Sequence, residues 1–292
     1  MSAKLLEGGP IADQIIREVA AAVTALPEGK TPKLVAVMAG DNAGARAYAR
    51  MQARSAEEVG ITYELQELPD AVGQEELEQH LSALNDDPAV TGIILLLPLP
   101  PGLETRALQA AIDPRKDVDG VHPANLGRVV QGQLEAAPCT AQSVMELVKA
   151  SGLQVYGAEC VVVGHSEIVG KPVALLLLQE FGTTAVCHIA TSEAGMTAEH
   201  TRRADLLIVA VGVPRLIKGA MIKPGAVVID VGMNRVKGED GKSKLVGDVV
   251  FEEALEVAGQ LTPVPGGVGP LTTAILLRNT MNALHQQGSL AR

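Results

Sequence analysis

Aromatic residues are nearly absent from this sequence, and its basic residues are outnumbered by acidic ones. Only 2% of the 292 residues are aromatic: three tyrosines, two phenylalanines and no tryptophan. Stacking platforms for single-stranded nucleic acids are therefore not expected. The 24 lysines and arginines stand against 34 aspartates and glutamates, a net charge of −10. Because a nucleic-acid backbone needs a broad basic surface, we expect no nucleic-acid partner.

Cysteines and long apolar runs are also scarce. Cys139, Cys160 and Cys187 are odd in number and far apart, which indicates buried packing rather than disulfides or a metal site. The longest apolar runs, 93–97 and 173–178, are far shorter than the ~20 residues of a membrane-spanning helix. The N-terminus has no signal-peptide pattern. We expect a cytoplasmic protein with no membrane partner and no bound metal.

What the sequence does contain is an alternation of helical and strand patterns. Hydrophobic residues make up 47% of the chain, and its length fits two domains of ~150 residues. Short apolar runs that end at glycine or proline are typical of buried parallel strands, so an α/β fold with βαβ units is predicted. The last helix is expected to pack on the first domain. The domains predicted in this way are 1–145 with 270–292, and 146–269.

The elements follow from the same patterns. Strands are predicted at 33–39, 91–97, 159–163, 184–188, 205–211 and 226–231. Helices are predicted at 43–59, 74–85, 140–151 with Thr140 as its cap, 168–181, 197–203, 217–222 and 270–287. The polar segment 237–244 is predicted to be a hairpin or loop.

Three short motifs could carry chemistry. Residues 164–172, GHSEIVGKP, join a strand to a helix, where a dinucleotide pyrophosphate can bind; a turn without a ligand is the alternative. Residues 262–270, TPVPGGVGP, form a rigid loop that is either a ligand wall or a structural turn. In KDVDGVHP, residues 116–123, Asp119 could accept two N–H bonds from a nitrogen-rich ring, or it could be a solvated turn residue.

Taken in order, these motifs resemble one family. LPLP at 97–100, DVDG at 117–120, GHSEIVGKP, DVGMNR at 230–235, GDV at 247–249 and PVPGGVGP at 263–270 are similar to the bifunctional methylenetetrahydrofolate dehydrogenase/cyclohydrolases. The resemblance covers nearly the whole chain. It implies an N-terminal α/β folate domain, a C-terminal Rossmann-like doubly wound parallel sheet, and a cleft between them. It also implies a homodimer, a tetrahydrofolate substrate and a nicotinamide dinucleotide cofactor.

The resemblance also implies roles for individual residues around the folate. Tyr48 would stack on the ring system of the folate, and Asp119 would pair with the amino edge of the pterin. Pro265, Gly266 and Gly267 would line the folate cleft. Tyr48 and Asp119 are thus candidate catalytic and substrate-binding residues.

Two departures from the family concern hydrolysis. Four residues after the tyrosine the family has a lysine held to be essential for cyclohydrolase activity, but here the residue is Gln52. The glutamine that precedes LPLP in the family, and touches that lysine, is replaced by Leu96. Arg50 and Arg54 lie ~200° away around a helix and cannot substitute. Gln52 therefore occupies a candidate catalytic position. Because glutamine has no titrating group to transfer a proton during hydrolysis, this replacement predicts weak or absent cyclohydrolase activity.

A third departure concerns the cofactor. The family residues that hold the 2′-phosphate of NADP, an arginine and a Ser-Arg pair, are replaced by His165, Ile189 and Ala190. This replacement favours NAD over NADP. An acidic residue that would bind the ribose of NAD is not obvious, since the nearest candidate, Glu193, lies further along the chain than the usual position. The other cofactor-binding residues that the resemblance implies are Gly164, Ser166, Gly232 and Met233.

The predicted activity is oxidation of 5,10-methylenetetrahydrofolate to 5,10-methenyltetrahydrofolate with NAD(P)⁺. Two alternatives stay open from the sequence. The first is a full bifunctional enzyme in which another group replaces the lysine. The second is a homologue that binds folate or nucleotide without catalysis. The loss of both the lysine and the phosphate-binding residues favours this alternative.

Overall fold

The computed structural model describes residues 2–237, 241 and 243–290, and side chains as far as 288. In the described residues the chain forms two compact α/β units. Unit A comprises Asp13–Arg128, Glu135–Cys139 and the described part of Thr273–Arg292; unit B comprises the described parts of Met1–Ala12, Val129–Leu134 and Thr140–Thr272.

The helices and strands alternate along the chain, as predicted. They are β1 (Lys4–Leu5), α1 (Gly9–Thr24), β2 (Lys33–Ala39), α2 (Ala43–Val59), β3 (Thr62–Leu68), α3 (Gln74–Asp86), β4 (Gly92–Leu95), α4 (Thr105–Ala111), α5 (Pro123–Val130), α6 (Cys139–Ser151), β5 (Glu159–Val163), α7 (Gly170–Gln179), β6 (Thr183–Cys187), α8 (Ile189–Glu193), α9 (Thr197–Thr201), β7 (Leu206–Val209), β8 (Val227–Asp230), β9 (Asn234–Lys237), β10 (Ser243–Val246), α10 (Phe251–Val257), β11 (Gln260–Leu261) and α11 (Val268–Leu290).

Unit A is built on a parallel three-stranded sheet in the order β3-β2-β4. β2 lies in the centre and is buried almost throughout because both of its faces are covered. Its apolar side chains pack with leucines of α3 and α4, such as Leu77, Leu81 and Leu108, each 0% exposed. This packing fixes the ends of β2 and β4, beside which the first candidate residues lie.

Unit B contains a parallel six-stranded sheet in the order β1-β11-β8-β7-β5-β6. The strand order reverses direction around β5, as in a doubly wound Rossmann-like sheet. β5, β7 and β8 are short runs of valine, leucine and isoleucine, which bury their side chains on both faces. The carboxyl ends of four neighbouring strands therefore share one edge, where their following loops can meet a ligand.

Several details differ from the sequence-based expectations, and β1, α1, α4, α5, α8, α10 and β11 have no counterpart among the predicted elements. β3 was missed, since its sequence TYELQEL alternates charged and apolar residues and it lies at the edge of its sheet. The helix predicted at 217–222 is only a single 3₁₀ turn at 219–221. Thr140 lies inside α6 rather than capping it. Residues 1–12 belong to unit B because β1 pairs with β11.

The segment predicted as a polar hairpin joins two antiparallel strands, since β9 pairs with β10 from Lys237 opposite Ser243 onward. Residues 238–240 and 242 of that segment lie outside the described residues. In the part of the chain that the structure describes, no helix combines the length and apolarity needed to cross a bilayer.

Candidate functional site

The first group of candidate residues lies on α2 and β3 of unit A. Asn42 caps α2 by accepting the Ala45 N–H at 2.9 Å, which fixes where the helix begins. Tyr48 and Gln52 then lie one turn apart. Gln52 is 0% exposed and Tyr48 is half-buried, whereas Arg50 and Arg54 are exposed. The helix thus turns both arginines away from the face that carries Tyr48 and Gln52.

A hydrogen bond that the sequence did not reveal holds the Gln52 side chain. The Tyr63 hydroxyl on β3 donates to Oε1 of Gln52 at 2.8 Å. Nε2 of Gln52 is buried and has no hydrogen-bond partner among the described residues. Leaving a buried donor unsatisfied costs about 1–3 kcal/mol, so the Gln52 amide lacks a hydrogen bond that a buried donor usually makes.

Tyr63 is fixed in its protonated form. Burial of the phenol, and to a smaller extent the neighbouring Tyr48, raises the pKa of Tyr63 far above its usual value. A hydroxyl that keeps its proton can donate to Gln52 but cannot accept a proton as a base. The only signal for Tyr63 in the sequence was a tyrosine in an alternating segment, and the strand itself was missed.

Leu96 lies just after β4 and is buried, with 3% exposure. Its backbone N–H donates to the Val37 carbonyl at 2.9 Å, which extends the pairing of β4 with β2 by one residue. The next peptide, Leu97–Pro98, is cis. The glutamine that precedes LPLP in the family is thus replaced here by a buried apolar side chain.

The turn that carries Asp119 is organised by the other aspartate of the motif. Asp117 accepts N–H bonds from Gly120 at 3.0 Å and His122 at 2.8 Å. Gly120 has a φ of 77°, and a Cβ there would lie 2.4 Å from the Ala137 carbonyl oxygen, so only glycine fits. Asp117 thus has a structural role in this turn, which Asp119 does not share through these bonds.

Asp119 lies in a polar pocket formed by residues that are distant in sequence. The Cys139 thiol contacts its carboxyl group, and Nδ2 of Asn279 donates to the Val118 carbonyl at 3.0 Å and to Sγ of Cys139 at 3.5 Å. Asp119 keeps some exposed surface, yet burial of the carboxyl group, helped by Asp117, raises its pKa to about 6. Burial also raises the pKa of Cys139 well above its usual value. The apolar context of Cys139 predicts packing alone, and no motif in the sequence points to Asn279.

The proline- and glycine-rich loop of unit B follows β11. The Val264–Pro265 peptide is cis, and Pro265 is exposed. The N–H of Gly267 donates to the Pro263 carbonyl at 2.8 Å, and Gly266 accepts the Gly8 N–H at 2.9 Å. These bonds hold the loop in one path, with the proline ring facing solvent.

The β5–α7 turn of unit B brings two backbone segments unusually close. A Cβ on Gly164 would lie 2.2 Å from the Ala210 carbonyl oxygen, and its φ is 126°. Ser166 Oγ accepts N–H bonds from Val169 at 3.2 Å and Gly170 at 3.4 Å, which closes the turn before α7. His165 and Ser166 are both exposed in front of the helix.

Large apolar side chains are exposed along the same edge of the sheet. Ile168 follows β5, Ile189 follows β6, Val213 follows β7 and Met233 follows β8, with exposures of 44%, 70%, 48% and 67%. Since apolar side chains in a row are costly to leave in water, this edge fits a ligand with flat apolar surfaces. A dinucleotide has flat rings that suit these exposed apolar side chains and a pyrophosphate that suits the N-terminus of α7.

The loops after β7 and β8 are held by two buried aspartates. Asp230 accepts the Gly232 N–H at 2.9 Å, and Asp248 accepts the N–H groups of Val211 at 2.7 Å and Gly212 at 2.9 Å. Burial raises the pKa of Asp230 to about 7. The pair therefore positions the loop that carries Gly232 and Met233. No group of three or more potential metal ligands occurs among the described residues.

Comparison with known proteins matches both parts of the chain to one family. Residues 6–119 match the family model of the tetrahydrofolate dehydrogenase/cyclohydrolase catalytic domain, and residues 138–288 match that of the NAD(P)-binding domain. A curated relative, bifunctional protein FolD 2 of Mesorhizobium japonicum, is 51% identical over 98% of this chain and 93% of its own length.

Solved structures agree with this assignment. The bifunctional FolD of Campylobacter jejuni has a TM-score of 0.92 at 38% identity and covers 98% of this chain and all of its own. A Trypanosoma brucei FolD complexed with NADP and an inhibitor has a TM-score of 0.91 at 37% identity, covering 99% of each chain. The chain is therefore an enzyme of the tetrahydrofolate dehydrogenase/cyclohydrolase family.

Proposed function

We propose that this enzyme oxidises 5,10-methylenetetrahydrofolate to 5,10-methenyltetrahydrofolate with NAD(P)⁺, and that its hydrolysis of the methenyl product is weak or absent. The observation that carries the proposal is the environment of Gln52. This side chain is fully buried, its oxygen accepts from Tyr63, and neither group can serve as a base.

In this proposal unit A holds the folate. Tyr48 stacks on the folate ring system, and the Asp119 carboxylate accepts N–H bonds from the amino edge of the pterin. The unpartnered Nε2 of Gln52 donates a hydrogen bond to an acceptor of the bound substrate. Pro265, Gly266 and Gly267 lie on a loop of unit B that backbone hydrogen bonds hold in one path. These assignments are supported by the burial and charge of each group and by the family to which the chain belongs.

Oxidation places few demands on the protein. When the dinucleotide is bound, it supplies the hydride acceptor. The two nitrogens that flank the methylene carbon supply the electron pair, so no side chain has to move a proton. Tyr48, Gln52 and Asp119 only need to hold the folate in position.

Hydrolysis of the methenyl group is more demanding, because a water must be activated and a leaving nitrogen must be protonated. The Gln52 amide does not titrate, the Tyr63 phenol stays protonated, and Leu96 is apolar. No residue described at this position can therefore perform the proton transfer that a lysine performs in the family.

The second candidate function is the complete bifunctional activity. It is favoured by the names of the relatives, since the 51% identical protein is called bifunctional. In that case a group other than Gln52 would activate the water. The decisive difference between the two candidates is the rate of methenyl hydrolysis, not the rate of oxidation.

We also propose NAD as the preferred cofactor at neutral to alkaline pH. His165, Ile189 and Ala190 are all exposed at the edge of unit B, and none of them provides the permanent charge that a 2′-phosphate needs. The parts of the cofactor that NAD and NADP share are proposed to contact Gly164, Ser166, Gly232 and Met233.

A pair of assays on one purified sample tests the proposed function. The first follows reduction of NAD⁺ and NADP⁺ separately with methylenetetrahydrofolate, and the second follows loss of the methenyl compound above its spontaneous rate. We expect reduction, faster with NAD⁺, without enzymatic hydrolysis. Rapid hydrolysis would replace the proposal with the bifunctional alternative. Absence of reduction with both cofactors would indicate the homologue that binds without catalysis.

We further propose a homodimer that forms along β6, which has a strand partner on one side only among the described residues. Val186 on β6 is 37% exposed. Leu178 on α7, Phe181 just before β6 and Tyr156 before β5 are 53%, 72% and 69% exposed, and the Tyr156 and Phe181 rings lie 5.6 Å apart. An apolar sheet edge of this kind favours pairing with a second copy.

The prediction for the dimer is a mass of about twice 30.3 kDa in light scattering. V186K should give monomers at low micromolar concentration, because a charge at an edge strand opposes pairing. V186T keeps the β-branched shape and serves as the matched control, which should remain dimeric. Monomeric wild-type protein, or an unchanged mass for V186K, would contradict this interface.

A further inference from the structure

Two histidines meet at the edge of unit B where the cofactor is proposed to bind. His165 follows β5 and His188 follows β6, and these strands pair in parallel up to Val163 opposite Cys187. The ring centroids lie 5.5 Å apart with an interplanar angle of 86°. Both side chains are exposed, so the two imidazoles form one surface that a ligand can reach.

The position of this pair identifies the part of the cofactor that it faces. In a Rossmann-like sheet, the residue at the end of the second strand of the first βαβ unit lies ~20 residues after the first glycine of the turn, and it contacts the ribose that bears the 2′ group. His188 occupies that place in the chain relative to Gly164. Its neighbours Ile189 and Ala190 have no polar side-chain atoms, and Thr191 accepts the His188 backbone N–H at 3.2 Å, so the histidines are the titratable side chains at this point.

Imidazole can recognise either form of the 2′ position. A neutral imidazole has one donor and one acceptor, which suits a hydroxyl group. An imidazolium has two donors and a positive charge, which suits a phosphate. Histidine is the side chain that changes between these states in the physiological pH range.

We propose that His165 and His188 together make the choice between NAD and NADP depend on pH, with the preference for NADP rising as the pH falls. The inference deepens the proposed function and rests on its assignment of this edge to the cofactor. The proposed function names no residue that recognises the 2′ position of the cofactor. The histidine pair would do so, with a charge that depends on pH rather than a permanent charge.

The other charged groups on the elements around the pair include two basic and two acidic side chains. Lys171 on α7 and Glu167 in the turn form an ion pair with 3.5 Å between Nζ and Oε1. Glu193 lies on α8, and Arg203, after α9, acts on Cys187 at the end of β6. The phosphate itself takes up a proton with a pKa of about 6, so the effect is tested above that value.

The test measures nucleotide binding without folate or turnover. Titration calorimetry on the full-length protein gives Kd for 2′,5′-ADP and for 5′-AMP at about pH 6.5 and about pH 8.5. We expect the affinity ratio of 2′,5′-ADP over 5′-AMP to rise about tenfold at the lower pH. The double variant H165Q/H188Q should bind both nucleotides with a ratio that no longer depends on pH.

H80Q is the matched control, since His80 lies on α3 in unit A and its Nε2 contacts Gln66 at 2.6 Å. It should keep the pH dependence of the wild type. If both nucleotides bind with a ratio that is constant between the two pH values, or if H165Q/H188Q keeps the wild-type slope, this inference is wrong while the proposed function stands. If neither nucleotide binds, the assignment of this edge to the cofactor fails as well.

Discussion

Q52K is expected to raise the rate of methenyl hydrolysis by about 10²–10⁴-fold, the range that a positioned acid or base contributes. The new ammonium group would lie where Gln52 is now buried, within reach of the Tyr63 hydroxyl. Burial lowers the pKa of a lysine, so part of the population would be neutral near pH 7 and could accept a proton from water. The measurement is the decay of the methenyl compound above its spontaneous rate.

Q52M is the control for this change. Methionine matches lysine in being long and unbranched but has no titrating group, so Q52M should hydrolyse no faster than the wild type. The double variant Q52K/L96Q also restores an amide at buried position 96, where the resemblance implies a glutamine in contact with the lysine, and should hydrolyse at least as fast as Q52K. Oxidation of methylenetetrahydrofolate is followed in the same samples to show that the folate site is formed. Equal hydrolysis by Q52K and Q52M would mean that this position does not separate the two activities.

Much of the fold follows from local pattern. The apolar runs of β2, β5, β7 and β8 are buried on both faces. Continuous apolar runs of this kind are typical of parallel strands, so the sequence predicts where these strands lie and how they pair. β3 could not be predicted in the same way. Among the described residues, β3 has a strand partner on one side only, so its sequence mixes charged and apolar residues without the continuous run of a buried strand.

In the candidate site, too, some features follow from local sequence pattern and others depend on tertiary packing. The positions of Tyr48 and Gln52 on one face of α2 follow from helix periodicity, and the structure confirms that Arg50 and Arg54 point elsewhere. The bond from Tyr63 to Gln52 depends on how α2 packs against β3, which spacing does not specify.

The pocket of Asp119 is a second example of such long-range assembly. Asn279 donates to the carbonyl of Val118 from 161 positions further along the chain. Tertiary packing alone creates contacts of this length. The sequence therefore predicts Asp119 as a ligand contact from its motif, but it does not reveal the contacts that Cys139 and Asn279 make around it.

Asp119 provides the second large effect, a loss of substrate affinity at low pH. Its pKa is raised to about 6, so its carboxyl group becomes protonated at a pH where an ordinary aspartate is still ionised. The protonated group loses negative charge and one acceptor for the N–H groups of the pterin. Below that pKa, kcat/KM for methylenetetrahydrofolate should fall by up to about tenfold per pH unit, and it should level off above it.

D119N is expected to lower kcat/KM at pH 8 by about 10–150-fold, since a hydrogen bond to a charged group is worth about 1.5–3 kcal/mol. It should also lose the descent around pH 6, because an amide does not titrate there. D86N removes an exposed carboxylate from α3 in the same unit and should keep the wild-type profile. A merely structural Asp119 would lower kcat/KM on substitution but would leave the descent in place. Retention of the descent in D119N would therefore assign it to another group and remove Asp119 from contact with the pterin.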